Sequence, residues 1–172
     1  NGTIDIIMSG MSDADYRRKD VRFTEPYMMI GQMALVRAAD YERFSQGAAL
    51  YDKQTRIGSI RGTTGELFAE QNTAGARVLF GGAEEGLAAL QVGTIDVLID
   101  DAPFTLQAAR ANPQFRALGW LLTDEHLAWA LPKDAGFDFL YNELNTFLRQ
   151  AKQRGEVRRV INKYLEVHVN IK

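Results

Sequence analysis

Short apolar runs alternate with helix-like segments between Arg56 and Asn112, and this alternation is the strongest constraint on the fold. Three strand-like runs, "RIGSI", "ARVLF" and "IDVLI", are each followed by a segment with helical spacing of apolar residues. The helical segments read "TTGELFAEQN", "AEEGLAALQVG" and "APFTLQAARAN". Strands that alternate with helices are typical of α/β proteins with mainly parallel sheets, so we predict that fold class.

Extended segments and two terminal helices flank this region. "TIDIIMS" (Thr3–Ser9) predicts a buried strand, and "SDADYRRK" predicts a short helix with Ser12 as its N-cap. "MMIGQMALVR" (Met28–Arg37) and "LAWALP" (Leu127–Pro132) predict further strands, with a helical turn near residues 46–52. "FDFLYNELNTFLRQAKQRG" and "EVRRVINKYL" predict two closing helices, the first ended by Gly155.

Composition excludes several functions. The 172 residues are 46% apolar and carry a net charge of −2, which favours a packed core and argues against nucleic acid as a partner. Cysteine is absent, and His126 and His168 have no second histidine at ligand spacing, so we expect neither disulfides nor a metal site. "FGGAEEG" lacks the spacing of a dinucleotide-binding loop, and no motif predicts a cofactor.

Three predicted helix starts carry similar chemistry. Ser12 with Asp15 and Thr63 with Glu66 have capping-box spacing, and Asp101 is a natural N-cap two positions before Pro103. Each pattern by itself is most simply a structural cap. Together with Arg17, a planar donor for carboxylates, they also supply the contacts that the charged head of an α-amino acid requires.

The sequence resembles the periplasmic amino-acid-binding proteins of ABC importers, which form bacterial family 3 of the type II solute-binding proteins. Four blocks in the family's order carry the resemblance: "TIDIIMSGMSDADYRRKDVRFTEPY", "IGSIRGTTGELFAEQN", "GLAALQVGTIDVLIDDAPF" and "LAWALPKD". It implies a two-lobe α/β fold that holds a free amino acid between the lobes. Lobe one would take residues 1–34 and 132–172, lobe two residues 38–128, and the hinge strands residues 35–37 and 129–131.

The resemblance also implies ligand-binding residues. Arg17 would hold the ligand carboxylate with Ser12 beside it, and Thr63 and Thr64 would donate to the same carboxylate. The ligand ammonium would contact Asp101 and the backbone carbonyl of Gly10. Ser9 and Ile60 would flank the pocket for the ligand side chain.

The family has a further section before the strand that matches "TIDIIMS", and this chain lacks it. We therefore expect an incomplete first lobe with exposed strand edges, and either dimerisation through that lobe or a weakened lobe. The section also holds residues that select the ligand side chain, so the sequence does not identify the amino acid.

The implied function is capture of an amino acid in the periplasm or outside the cell, for delivery to the membrane subunits of an ABC transporter. No signal peptide opens this chain. One alternative is the ligand-sensing domain of a membrane receptor kinase. Another is an enzyme on the same fold, such as a dehydratase, for which Glu66 or Asp100 would be the nearby general acid. The sequence favours binding over catalysis.

Overall fold

The computed structural model of the protein describes residues 4–165, which divide into two compact units. Unit 1 consists of the described parts of Asn1–Met29 and Glu125–Lys172, and unit 2 is Ile30–Asp124. The segments predicted as hinges, 35–37 and 129–131, fall inside unit 2 and unit 1 respectively. They do so because each lies within or beside a strand that is paired in its own unit.

Nine strands and six α-helices occur in this part of the chain. The strands are β1 (Val21–Phe23), β2 (Met28–Ile30), β3 (Gln32–Arg37), β4 (Ile57–Ile60), β5 (Arg77–Phe80), β6 (Val97–Asp101), β7 (Phe115–Ala117), β8 (Glu125–Leu127) and β9 (Ala130–Pro132). The helices are α1 (Tyr41–Phe44), α2 (Thr64–Asn72), α3 (Ala83–Gln91), α4 (Ala102–Ala111), α5 (Asp138–Gln153) and α6 (Glu156–Leu165). The three predicted strand–helix pairs and both closing helices are therefore present.

Unit 2 is built on a five-stranded sheet in the order β5-β4-β6-β3-β7. β4 is parallel to β5 and β6, whereas β3 is antiparallel to both β6 and β7. Four of the five strands consequently point in one direction, and β3 runs against them. The expected mainly parallel sheet holds for unit 2 by strand direction, although two of its four pairings are antiparallel.

Both faces of this sheet are covered, which explains why its strands are continuous apolar runs. Ala34 and Val36 of β3 pack on one face, and the residue between them, Leu35, packs on the other. The first face also holds Phe44, Leu50, Ile57, Phe68, Ala69, Val97, Ile99 and Leu118. The second holds Ala89, Leu90, Ile95, Leu98, Ala108 and Phe115. The period-two alternation of β3 thus serves two cores.

An ion-pair cluster joins the three central strands at one end of the sheet. Asp96 is 5% exposed and accepts hydrogen bonds from the backbone and guanidinium of Arg56 at 2.6–3.0 Å, and from Arg37 Nη2 at 3.3 Å. Burial by itself raises the pKa of Asp96, but the hydrogen bonds and charge of Arg56, with the bond from Arg37, outweigh it and lower the pKa to about 2. Arg37 also donates to the backbone oxygens of Leu90 and Ile95, so the cluster joins β3, β4, β6 and the end of α3.

Unit 1 differs from the sequence prediction at its first segment. Thr3 lies outside the described residues, and residues 4–9 form no strand. Ile7 makes an isolated antiparallel bridge with Ala130, while Ile4 and Met8 are 63% and 53% exposed. The predicted buried strand is wrong because this segment is paired at a single residue. Ile7 packs against the cluster of Phe23, Ala128 and Ala130, but the other described apolar side chains of the segment are exposed or only partly buried.

The predicted helix after Ser12 is also absent. Residues 15–20 form consecutive turns, in which the backbone carbonyls of Ala14 and Arg17 accept hydrogen bonds from residues three and four positions later. Ser12 does not cap this segment, because it forms an antiparallel bridge with Leu127. Pairing of Ser12 with Leu127, which is distant in the sequence, therefore takes the place of the predicted helix start.

The rest of unit 1 consists of paired strands and the two terminal helices. β1 is antiparallel to β9, and β2 pairs with β8. Gly155 separates α5 from α6 and adopts a φ of 70°, which confirms the predicted helix end. No helix within residues 4–165 has the length and apolar character to cross a membrane.

Asp96→Asn should destabilise unit 2 by about 2–3 kcal/mol, because an amide accepts with one oxygen where the carboxylate uses two charged ones. Urea unfolding followed through Trp120 in a Trp129→Phe background reports on unit 2, since these are the two tryptophans. The full destabilisation should be observed above about pH 4. It should shrink as the pH falls towards 2, because the pKa of Asp96 is lower in the folded state than in the unfolded chain. Exposed Asp124→Asn is the control, and an equal midpoint for both variants would contradict the prediction.

Candidate functional site

The carboxyl ends of β4 and β6 form a topological switch point in unit 2. From β4 the chain passes through α2 to β5 on one side of the β4–β6 pair, and from β6 it passes through α4 to β7 on the other side. The loops that follow β4 and β6 therefore diverge, and open α/β sheets bind ligands in the crevice that such loops leave. Thr63 and Thr64 follow β4, and Asp101 ends β6, so all three lie at these carboxyl ends.

The start of α2 confirms the predicted cap. Thr63 is the N-cap, and its hydroxyl oxygen accepts from the Glu66 backbone N–H at 3.3 Å. Glu66 reaches back one residue further than in the usual capping box, accepting at 2.6 Å from the N–H of Gly62. The Thr63 hydroxyl donates to the Ile60 carbonyl at 2.6 Å, so its hydrogen is engaged by the loop itself.

Asp101 does not cap α4 through its side chain, which corrects the predicted cap. It occupies the N-cap position without a side-chain hydrogen bond to the helix. Its Oδ1 instead accepts from Gln32 Nε2 at 2.6 Å, and the same nitrogen donates to the Thr64 hydroxyl at 3.0 Å. Gln32 and Asp101 can meet because they are paired in the β3–β6 register.

Asp100 precedes Asp101 and has a different environment. Burial raises the pKa of Asp100 to about 6, opposed by a hydrogen bond from the Asp101 backbone N–H and assisted by the negative charge of Asp101. The carboxyl of Asp100 therefore titrates near pH 6, which is in the range that suits a general acid.

In unit 1, Ser9 and Gly10 lie on an outward excursion of the chain. Ile7 bridges Ala130 and Ser12 bridges Leu127, so four residues, 8–11, stand opposite only two, 128–129. The surplus residues leave the pairing, and both Ser9 and Gly10 are exposed. The excursion places backbone groups at the surface, where the sequence predicted a ligand contact from Gly10.

Ser12 and Arg17 are adjacent in space. Arg17 Nη1 donates to the Ser12 carbonyl at 3.0 Å, and its guanidinium lies 5.2 Å from the ring centroid of Tyr16. The Ser12 hydroxyl donates to Glu125 Oε2 at 2.5 Å. Its single hydrogen points to Glu125, so in this arrangement Ser12 offers a ligand its oxygen lone pairs but no hydroxyl hydrogen.

Two residues at these positions were missed by sequence reasoning. Gln32 interrupts the apolar run Met28–Val36, and that polar position inside a buried strand was the available signal. Glu125 had no local signal, because its contact with Ser12 spans 113 positions.

A surface cavity of about 490 Å³ in unit 1 is lined by Arg18, Val21, Arg22, Phe23 and Lys133, none of them a predicted site residue. The three cationic side chains that line it have partners in the protein. Arg18 pairs with Asp13, Arg22 pairs with Asp138, and Lys133 donates to the Lys19 carbonyl. Within residues 4–165 no group of three or more acidic or histidine side chains could hold a metal ion.

Comparison with known proteins assigns the chain to a protein family. The family model of bacterial extracellular solute-binding proteins, family 3, matches residues 1–167. The chain therefore belongs to the family 3 bacterial extracellular solute-binding proteins.

Particular relatives agree with this assignment. The glutamine-binding protein GlnH of an ABC transporter in Bacillus subtilis is 27% identical, over 96% of this chain and 59% of its own length. A binding component of an ABC transporter from Wolinella succinogenes, solved in complex with lysine, is 27% identical with a TM-score of 0.87, over 97% of this chain and 72% of that one. The similarity confirms the α/β fold class of two-lobe type II binding proteins.

A third relative is an enzyme by name. Membrane-bound lytic murein transglycosylase F of Alcanivorax borkumensis is 29% identical over 95% of this chain, but the match covers 35% of that protein. The chain spans about 60% of the length of the curated binding proteins it matches.

Asp100→Asn should change how the stability of unit 2 depends on pH. The folded-state pKa of Asp100 is raised, so ionising it costs stability as the pH rises from about 4 through 6. The substitution should leave the unfolding free energy unchanged at pH 4 and raise it above pH 7 by about 1–2 kcal/mol.

Urea midpoints measured between pH 4 and pH 8 check this expectation. Asp124→Asn, an exposed carboxyl, is the matched control. Parallel pH profiles for the wild type and Asp100→Asn would contradict it.

Proposed function

We propose that the protein binds a free L-amino acid and delivers it to the membrane subunits of an ABC transporter, in the periplasm or outside the cell. The observation that carries this proposal is the convergence of Thr63, Thr64 and Asp101 at the switch point of unit 2. These residues combine the Thr64 hydroxyl and the start of α2, which suit a carboxylate, with the Asp101 side chain, which suits an ammonium group.

In unit 2, Thr64 interacts with the ligand carboxylate through its hydroxyl, and Thr63 caps the helix start beside it. Asp101 interacts with the ligand ammonium. The start of α2 supports the first role, because its backbone N–H groups carry the positive end of the helix dipole. The orientation of Asp101 supports the second role, because its side chain is turned to Gln32 and away from the helix it precedes. Ile60 flanks the ligand side chain.

In unit 1, Arg17 is the residue that we propose as the clamp for the ligand carboxylate. A guanidinium carries five N–H donors, so its bond to the Ser12 carbonyl is compatible with a bidentate contact to a ligand. That bond also restrains the Arg17 side chain before the ligand arrives, which reduces the entropy lost on binding. The exposed Gly10 carbonyl receives the ammonium, and Ser9 flanks the pocket.

Binding without catalysis is the function that the relatives support. GlnH is named as a glutamine-binding protein, and the Wolinella succinogenes protein was solved with lysine. The transglycosylase similarity covers a minor part of that enzyme, which is consistent with a ligand-binding section of a larger protein. We therefore assign no catalytic residue to this chain.

Arg17→Ala should weaken amino-acid binding about thirty-fold to several thousand-fold, because truncating one partner of a buried charge pair costs on the order of 2–5 kcal/mol. Thermal shift against the twenty amino acids identifies the ligand. A ligand at about 100 times its Kd stabilises by about 2.7 kcal/mol. Calorimetry with that amino acid then compares the variants.

Arg110→Ala is the matched control for this experiment, because Arg110 is an exposed arginine of unit 2 and should change affinity by less than about 1 kcal/mol. Arg17→Lys should fall between the wild type and Arg17→Ala, since lysine keeps the charge but loses the bidentate geometry. If Arg17→Ala binds as tightly as the wild type, the carboxylate clamp is wrong.

Asp101→Asn should weaken binding of the amino acid at least ten-fold, because the ligand ammonium loses its counter-charge. The same variant should bind the deaminated analogue of the ligand, which has no ammonium, about as well as the wild type does. Calorimetry with both compounds measures the two ratios. Equal losses for the two compounds would show that Asp101 does not contact the ammonium.

A further inference from the structure

We propose that Gln32 is a positioning residue of the ligand site, which orients Asp101 and Thr64 through one side-chain nitrogen. This inference rests on the amino-acid binding proposed above and adds to it a residue outside the predicted set. Gln32 is 1% exposed and lies at the first position of β3. It acts on the ligand through its two neighbours.

The contacts of Gln32 connect the two loops of the switch point. Nε2 donates to Asp101 Oδ1 at 2.6 Å and to the Thr64 hydroxyl at 3.0 Å. Asp101 belongs to the end of β6, and Thr64 to the first turn of α2. One amide group therefore sets the relative position of the groups assigned to the ligand ammonium and the ligand carboxylate.

Both backbone polar groups of Gln32 are hydrogen-bonded to the segment that contains Leu122 and Thr123. Its N–H donates to the Thr123 hydroxyl at 2.8 Å, and its carbonyl accepts from the Leu122 N–H at 2.8 Å. A fixed backbone and a buried side chain leave the amide little freedom. The hydrogen bonds to Asp101 and Thr64 are consequently preorganised before a ligand arrives.

The direction of the amide follows from its neighbours. Reversing it would bring Oε1 within 2.6 Å of the Asp101 carboxylate oxygen, which is repulsive, so the nitrogen must face Asp101. Both hydrogens of Nε2 are then used. The Thr64 oxygen accepts one of them, so the hydroxyl hydrogen of Thr64 points elsewhere and can be donated to a carboxylate.

The amide oxygen of Gln32 indicates that packing alone does not explain this residue. Among the described residues, Oε1 is buried without a hydrogen-bond partner, which costs stability that an apolar side chain of equal length would not. Gly65 makes room for it: a Cβ at that position would lie 2.7 Å from Oε1 and 3.0 Å from the Ile99 carbonyl.

Gln32→Met tests the proposal, because methionine keeps the length and volume of the side chain and removes the amide. Affinity for the amino acid found by thermal shift should fall about 10- to 100-fold, measured by calorimetry on the protein. Thr73→Val is the matched control. It removes a buried hydroxyl of unit 2 that bonds to the Ala69 carbonyl, away from the site, and should leave the affinity unchanged.

Gln32→Glu separates positioning from a structural role. An ionised glutamate repels Asp101, whereas a protonated one can donate to it, so binding should recover as the pH is lowered from 8 to 5. Because Asp100 also titrates in this range, the affinity is expressed relative to the wild type at each pH. Recovery by Gln32→Glu, with none by Gln32→Met, supports positioning through hydrogen donation.

The outcomes distinguish this inference from the proposed function. If the wild type binds an amino acid and Gln32→Met binds it equally well, the positioning role is wrong and the proposed function stands. A loss that is the same for both Gln32 variants at every pH also overturns the positioning role. If the wild type binds none of the twenty amino acids, both proposals fail.

Discussion

The antiparallel ladder between β3 and β6 is the constraint on which the rest of unit 2 depends. Its register pairs Gln32 with Asp101 at one end and Val36 with Val97 at the other. Each end is fastened by a polar contact to an aspartate, Gln32 to Asp101 and Arg37 to Asp96. A slip of one residue would break both contacts and turn the apolar side chains of β3 to the wrong faces of the sheet.

The two ends of this ladder serve different purposes. At the Asp96 end, two guanidiniums compensate a buried carboxylate, and the contacts join four elements without reaching the candidate site. At the Asp101 end, an amide holds a carboxylate beside the switch point of the sheet. The ion-pair cluster therefore lies at the amino ends of the parallel strands, and the candidate site lies at their carboxyl ends, where α2 and α4 start.

Three similar sequence patterns led to three different local structures. Thr63 caps α2 as expected, because Glu66 and the backbone of its own loop supply every partner. Ser12 and Asp101 instead contact Glu125 and Gln32, partners 113 and 69 positions away. A cap forms from the sequence pattern alone when its partners are local, and a distant partner with better geometry or charge can replace it.

The amino-acid sequence alone predicts the α/β class, the three strand–helix pairs between Arg56 and Asn112, the two terminal helices and the end of α5 before Gly155. These features follow from periodicity and helix-end preferences that act over a few residues. It also determined the family, through four ordered blocks. The tertiary structure adds the antiparallel direction of β3, the absence of a strand over residues 4–9 and of a helix after Ser12, and the contacts of Gln32 with Asp101 and Thr64. Each of these depends on contacts between residues that are far apart in the chain, which local sequence patterns do not encode.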